Sequence, residues 1–584
     1  MSGVAPFGSR PLLSSRAAPC SKTPIPLLNP TKKCVALPPP PRLLGTSIIL
    51  IWISIEAFND VMIRSLQAFP AACALAVSMT GAAGARAQDK VLKVSLSTEL
   101  QILDPIVTRI NSARVFAYLV YDTLVGMDSA GNFKPQMLDR WEVSTDRLTW
   151  TFTLRDGLAW SDGTPVTAED CVASIERWAR RDPFGGAMMD AVAELRPVDA
   201  THFTMQLRRP FAFVIEALGR SGHQVPVMMP ARLARLDSAK PVPEAIGSGP
   251  FVFLKKEWRP GDVASFVPNP RYRPRAEAPD GLAGGKVVKL DRVDLVSIAD
   301  QTTRTSALEA GEIDWLEIAP LDYIASLRAN RGIVVGKPQA MDQFLAVLNV
   351  NHADPPFNNI KVRKALQAAI VQPEIVAAVG LPDDLVTPFC GSIYMCNAPG
   401  STDAGTEALK NAGAERARQL LKESGYAGEP VVVFHSRTSA LLNPIGLVVA
   451  AQLRRAGFNV QVESRDSATM QQRRLQRTGW SIVPVVSNGI DMMNPLASQL
   501  VAGNCFETAP GWYCDPRMTD LLQRYAVTSA PAEQRRLADQ IQVAFHDNVN
   551  YVIAGQVAAP AAWRSSLTGV VPFSFPVFWN AARR

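Results

Sequence analysis

Five histidines, at 202, 223, 352, 435 and 546, are the side chains best suited to proton transfer or metal ligation near neutral pH. No two stand at the H-x-x-x-H spacing that would put a pair of ligands on one helix face. Each reads as a surface residue or a hydrogen-bonded core residue. Gly247-Ser248-Gly249 lacks the spacing of a G-x-S-x-G nucleophile elbow. Gly284-Gly285-Lys286-Val287 lacks both the hydroxyl residue and the upstream glycine of a phosphate-binding loop. No catalytic residue, no metal site and no cofactor is therefore expected. A secreted hydrolase needs a nucleophile–base pair, and the sequence offers none to carry that rival reading.

The eight cysteines stand at 20, 34, 73, 171, 390, 396, 505 and 514. Cys171 falls in a helical pattern and reads as a small buried hydrophobe. Cys390/Cys396 and Cys505/Cys514 form close pairs, each closing a short loop rich in Gly, Pro or Asn. In an oxidising compartment they read as two local disulfides. A four-cysteine zinc site is the alternative, but neither pair has C-x-x-C spacing and no histidine lies near.

The elements that must position any site are legible in outline. In WTFTLRDGLAWSDGTPVTAEDCVAS (150–174), Trp150, Phe152 and Leu154 alternate with polar residues, as in a half-buried strand. Asp156-Gly157 and Asp162-Gly163 turn the chain. Thr167 stands at a helix N-cap with Asp170 three residues on, a capping-box pattern, and Val172, Ile175 and Trp178 continue at helical spacing. Further strands are expected at 91–97, 287–298 and 344–349, and helices at 113–124, 300–310 (stopped by Gly311), 361–377 and 532–547. Strand 431–434, helix 446–456 and strand 459–463 follow in the order that gives parallel pairs in an α/β sheet. A return crossing between halves is expected at 552–555.

The order of motifs resembles the extracytoplasmic solute-binding proteins of ABC importers, in the peptide/nickel-binding family. LRDG followed by WSDGTPVTAED carries the resemblance first, then IGSGPF (246–251), NPRYR (269–273), ALEAGEIDW (307–315), PPFNNIKVRKALQAAI (355–370) and ARQLLKESGY (417–426). It covers about residues 91–580. It implies an α/β fold of two hinged lobes with an additional inserted domain: lobe I from 88–125, 245–340 and 554–584, the insert from 126–244, and lobe II from 341–553. GNCFETAPGWYC (503–514) resembles a bridged loop of the family.

The resemblance also implies a binding site. Peptide-binding members carry an acidic residue four positions before a Pro, where it anchors the peptide's α-ammonium group. In SNGIDMMNP (487–495) that residue is Asp491, with Asn488 and Asn494 as further substrate-binding candidates. The bland alternative is a surface Asp in an Asx turn. Dipeptide binders have a Gly-Trp pair just before the acid, where Ser487-Asn488 stands here. They clamp the ligand's carboxylate with an Arg, where Ala440 stands, and Arg437 is three residues too early. An oligopeptide is thus favoured over a free dipeptide. The alternatives within the fold are a nickel chelate, haem, a sugar or an opine-like amine. The expected partners are a small amine-bearing solute and an inner-membrane permease with its ATPase.

Hydrophobic residues make up 47% and charged residues 19%, ordinary for a globular chain with a large core. The net charge of +7 is concentrated in residues 1–87, which hold eight Lys/Arg and two acids, so the rest is nearly neutral and no nucleic-acid partner is expected. A monomer is expected. Residues 1–61 read as a disordered or mis-annotated leader. Residues 62–87 read as a signal peptide: Met62 starts it, Arg64 is its charge, 68–83 its apolar region and Ala85-Arg86-Ala87 its cleavage site. A periplasmic location follows.

Overall fold

The computed structural model describes residues 90–437 and 439–584. The expected leader (1–61) and signal peptide (62–87) lie outside the described residues. Two mixed sheets and one small antiparallel sheet organise the chain.

The first sheet has seven strands, in the order Ile333–Val335, Ala562–Arg564, Trp315–Leu316, Val91–Ser95, Arg292–Val296, Val263–Pro268 and Phe251–Phe253. Val91–Ser95 runs parallel to both of its neighbours, and the outer pairs are antiparallel. The second sheet has six, in the order Val386–Thr387, Tyr551–Ala558, Gln343–Val350, Ile482–Asn488, Val431–Ser436 and Val460–Arg465. Its last two strands pair in parallel through the helix Leu442–Arg455, as the strand–helix–strand order predicts. The four-stranded sheet, Leu138–Val143, Thr149–Leu154, His202–Leu207 and Val192–Pro197, is antiparallel throughout.

The capping box is formed. Thr167 accepts from the Asp170 backbone N–H, the Asp170 carboxylate accepts from Thr167, and the helix runs Ala168–Ala179. The same carboxylate accepts from Trp160 Nε1 at 3.3 Å and from the Ala231 N–H at 2.7 Å, so the helix start also ties down two distant segments. Gln301–Ala310 is capped by Asp300 and ended by Gly311 at φ 81°, the left-handed conformation glycine favours. Cys171 is buried and unbridged.

Three expectations are corrected. The helix at 361–377 is two, Ile360–Ala369 and Gln372–Val379. Pro373 cannot donate within a helix interior, but it fits the first turn of a new one. The helix expected at 113–124 is Asn111–Val120: Tyr121 is already extended, and Asp122 is drawn into a 2.7 Å ion pair with the buried Lys286. The return crossing is not at 552–555. Tyr551–Ala558 stays in the second sheet to its end, and the chain crosses back at 559–561, beside the outward crossing at 336–342. The two crossings are joined by the Gly336 N–H donating to the Ala561 carbonyl at 2.8 Å.

Both cysteine pairs are bridged, Cys390–Cys396 and Cys505–Cys514. Among the described residues, no helix is long and apolar enough to cross a membrane.

Candidate functional site

Val483, Val485 and the rest of the strand Ile482–Asn488 are held in the middle of the second sheet between Gln343–Val350 and Val431–Ser436. Beyond Asn488 the chain makes one turn of 3-10 helix, Gly489–Asp491, which projects Asp491 off the sheet's end. Facing it is the segment 220–223, which follows the short helix Val214–Leu218. Gly222 makes the approach possible, because a Cβ there would lie 1.9 Å from Asp491 Oδ1.

Asp491 is 4% exposed and well partnered. Its Oδ1 accepts from the His223 backbone N–H at 3.0 Å and from Arg220 Nη2 at 3.4 Å, and its Oδ2 lies 2.7 Å from His223 Nδ1. Burial alone would raise this carboxyl, but His223, Arg220 and Arg114 outweigh it and hold it well below the usual carboxylate range. Arg220 is shared, its Nε lying 3.1 Å from the buried Asp182, which caps the helix Pro183–Met189.

The network continues. His223 Nε2 lies 2.9 Å from Asn111 Oδ1 and 3.4 Å from Asn488 Nδ2. Asn111 Oδ1 also accepts from Arg114 Nη2 at 3.1 Å. The Arg114 guanidinium stacks 4.5 Å over the Phe575 ring, and its Nε and Nη1 are buried without a hydrogen-bond partner among the described residues. Burial pushes the Arg114 and Arg109 guanidinium groups down, with Asp491 acting the other way. Three arginines thus gather around two carboxylates.

Beside this cluster lies a cavity of about 210 Å³, walled by Met127, Phe133 and Phe213 on one side and by Met493, Asn494 and Tyr525 on the other.

Asp491 and Asn488 are therefore brought together through His223. Asn494 is not part of that network. It makes an Asx turn, accepting from the Leu496 N–H at 2.9 Å, and lines the cavity. Arg437 is exposed. The disulfides stand apart from the cluster; Cys396 is fixed by Gln556, which accepts from its N–H at 2.8 Å. Of the histidines, His202 is a surface residue paired with Asp199, while His352, His435 and His546 are hydrogen-bonded at less exposed positions. His223 is likewise hydrogen-bonded and largely buried, but its partner is Asp491, and its place with Arg220 around that carboxylate was the part sequence reasoning missed. The available signal was LGRSGHQ (218–224), an arginine between two glycines with a histidine directly after the second.

Ser221, two residues before His223, donates to Met127 Sδ at 3.7 Å and not to the imidazole, so the His223–Asp491 pair does not activate it. Among the described residues, no group of three or more His, Cys, Asp or Glu could hold a metal.

The family "Bacterial extracellular solute-binding proteins, family 5 Middle" matches residues 132–504. The chain is similar to the "Probable peptide ABC transporter periplasmic-binding protein y4tO" of Sinorhizobium fredii (strain NBRC 101917 / NGR234), at 35% identity over 87% of this chain and 97% of that one. It is also similar to the "Glutathione-binding protein GsiB" of Escherichia coli O1:K1 / APEC, at 26% identity over 77% of this chain and 85% of that protein. Among solved structures, the periplasmic binding protein DppA of Helicobacter pylori, in complex with the peptide STSA, superimposes with a TM-score of 0.70 at 21% identity. That match covers 84% of this chain and 98% of that one, a likeness of fold.

Proposed function

The chain belongs to the bacterial extracellular solute-binding proteins of family 5, which bind solutes and are not enzymes, and on that premise we propose that it captures peptides for an ABC importer. The observation that carries this reading is Asp491, an ionised carboxylate buried between opposing segments and faced by the Arg220 guanidinium and the His223 imidazole. The y4tO relative, described as a probable peptide-binding protein, supports the choice of ligand class.

In this reading the peptide enters with the two lobes apart, and its α-ammonium group is drawn to Asp491. An ionised carboxylate offers about four lone-pair sites. His223 and Arg220 occupy three, so the ammonium takes the site left on Oδ2 without displacing the histidine. The peptide's first carbonyl groups accept from the unpartnered nitrogens of Arg114. These contacts are made only when the lobes meet, so ligand shifts the population toward the closed form. That form is handed to a membrane permease driven by an ATPase. Arg437 is exposed and no aromatic residue precedes Asp491, which favours an oligopeptide over a free dipeptide. The chain acts in the periplasm, after cleavage of a signal peptide near Ala87.

The test is titration calorimetry with residues 88–584 and a set of three- to five-residue peptides. Asp491→Ala should abolish binding of peptides with free N-termini, and N-acetylation of the peptide should do the same to the native protein. Unchanged affinity in either arm removes the assignment.

A further inference from the structure

Glu216 lies on the wall of the 210 Å³ cavity beside Asp491, on the short helix Val214–Leu218. Its Oε2 is shut off from solvent and makes no hydrogen bond to any described residue. Around it stand rings and thioethers: Phe133, Phe213, Tyr525, Met127 and Met493. A carboxylate in such surroundings is costly unless it is paired with a cation or carries a proton. Burial alone pushes this carboxyl up to about 7. The other titratable or charged groups on the cavity wall are Arg220 and Tyr525. Arg220 is already committed to Asp182 and Asp491, and Tyr525 is stacked on Phe213 at 4.8 Å between ring centroids.

The cavity is smaller than the roughly 300–1,000 Å³ that holds a whole drug-sized ligand. It suits one branch of a ligand. Phe213 comes from the segment that also carries Arg220, whereas Tyr525 lies on the helix Pro516–Val527, and the Ala212 N–H donates to the Ala526 carbonyl at 2.8 Å. The walls therefore come from 213–221, which includes part of the segment facing Asp491, and from 490–497 and the helix Pro516–Val527.

We infer that this cavity receives a positively charged side chain of the bound peptide, a lysine-type ammonium or arginine-type guanidinium held by Glu216 and by the aromatic wall that Phe133 and the Phe213–Tyr525 stack supply. Both terms of recognition are present: a carboxylate with an open acceptor site, and aromatic faces that attract cations most strongly when desolvated. The inference rests on the peptide reading above and narrows it, from peptides in general to peptides carrying a basic residue beside the N-terminus.

The experiment uses three tripeptides, Ala-Lys-Ala, Ala-norleucine-Ala and Ala-Glu-Ala, titrated calorimetrically at pH 7 in two buffers of different ionisation enthalpy. The native protein should bind the lysine peptide at least about tenfold more tightly than the norleucine peptide. It should also release protons on doing so, since the entering cation ionises Glu216. Glu216→Gln should remove the proton release and bring the lysine peptide to the norleucine level, leaving norleucine binding within about twofold of native. Equal affinity of the native protein for the lysine and norleucine peptides overturns the inference and leaves the peptide reading standing. So does a lysine preference that survives Glu216→Gln. Absence of binding by all three peptides overturns both.

Discussion

Two residues with no side-chain chemistry to speak of decide how the cationic cluster meets Asp491. Gly219 ends the helix that carries Glu216, and Gly222 brings its backbone against the Asp491 carboxylate. A methyl group at 222 would collide with Oδ1 at 1.9 Å, so Gly222→Ala must push the two segments apart. Peptide affinity should fall by at least about tenfold with little change in thermal stability, because the displaced contact joins segments rather than filling a core. Calorimetry and a thermal melt on one variant check both halves, and native affinity would refute the role given to this approach. Asp491 could be picked from the sequence because its distance to Pro495 matches a family pattern. Arg220 and His223 could not: they are roughly 270 residues away in the chain, in a turn with no periodicity, and only the folded chain brings them to the carboxylate.

Helix ends that carry a capping residue were read correctly. Thr167 and Asp170 form the box their spacing announces, and Gly311 stops its helix in the left-handed conformation, because both signals are local hydrogen-bonding facts. Thr167→Ala should cost about 1 kcal/mol of stability. Asp170→Ala should cost more, about 2 kcal/mol or above, since it also strands the Trp160 indole N–H and the Ala231 N–H. Urea unfolding of the two variants would rank them, and the reverse order would contradict the account. The apolar period at 361–377 ran straight through a break. Periodicity registers which face is buried, not whether the backbone is continuous, and Pro373 restarts the helix on a similar phase. The crossing at 559–561 was misplaced for a related reason: the strand Tyr551–Ala558 is buried at every position, so nothing in its pattern marks where it leaves the sheet.

For the molecule as a whole, acid should be destabilising. Burial pushes His352 down to about 3 and His546 down to about 4. An unfolded chain would titrate both near 6.5, so below that pH the unfolded state takes up protons that the native state refuses. Their contribution is full above about pH 6.5 and drains as pH falls toward 4, by roughly 1.4 kcal/mol for each unit of depressed pKa. Urea midpoints should therefore drop clearly between about pH 7.5 and pH 5, and a flat profile would show that these imidazoles are hydrated in solution. The parallel pair of the second sheet was legible because strand–helix–strand order constrains topology, whereas the two halves followed only from the family resemblance; the pairing of the first sheet was not legible, because its partners come from opposite ends of the described chain. Ala562–Arg564 slots between Trp315–Leu316 and Ile333–Val335, and Arg583 donates to the Val91 carbonyl at 3.0 Å and pairs with Asp314 at 2.8 Å. A chain delivered N-terminus first, from a ribosome or through a narrow pore, would thus carry a gap in its earliest sheet for most of its emergence. Two raw strand edges would wait for a filler made hundreds of residues later, which makes the interval before release the time when this protein most needs shielding from its own copies.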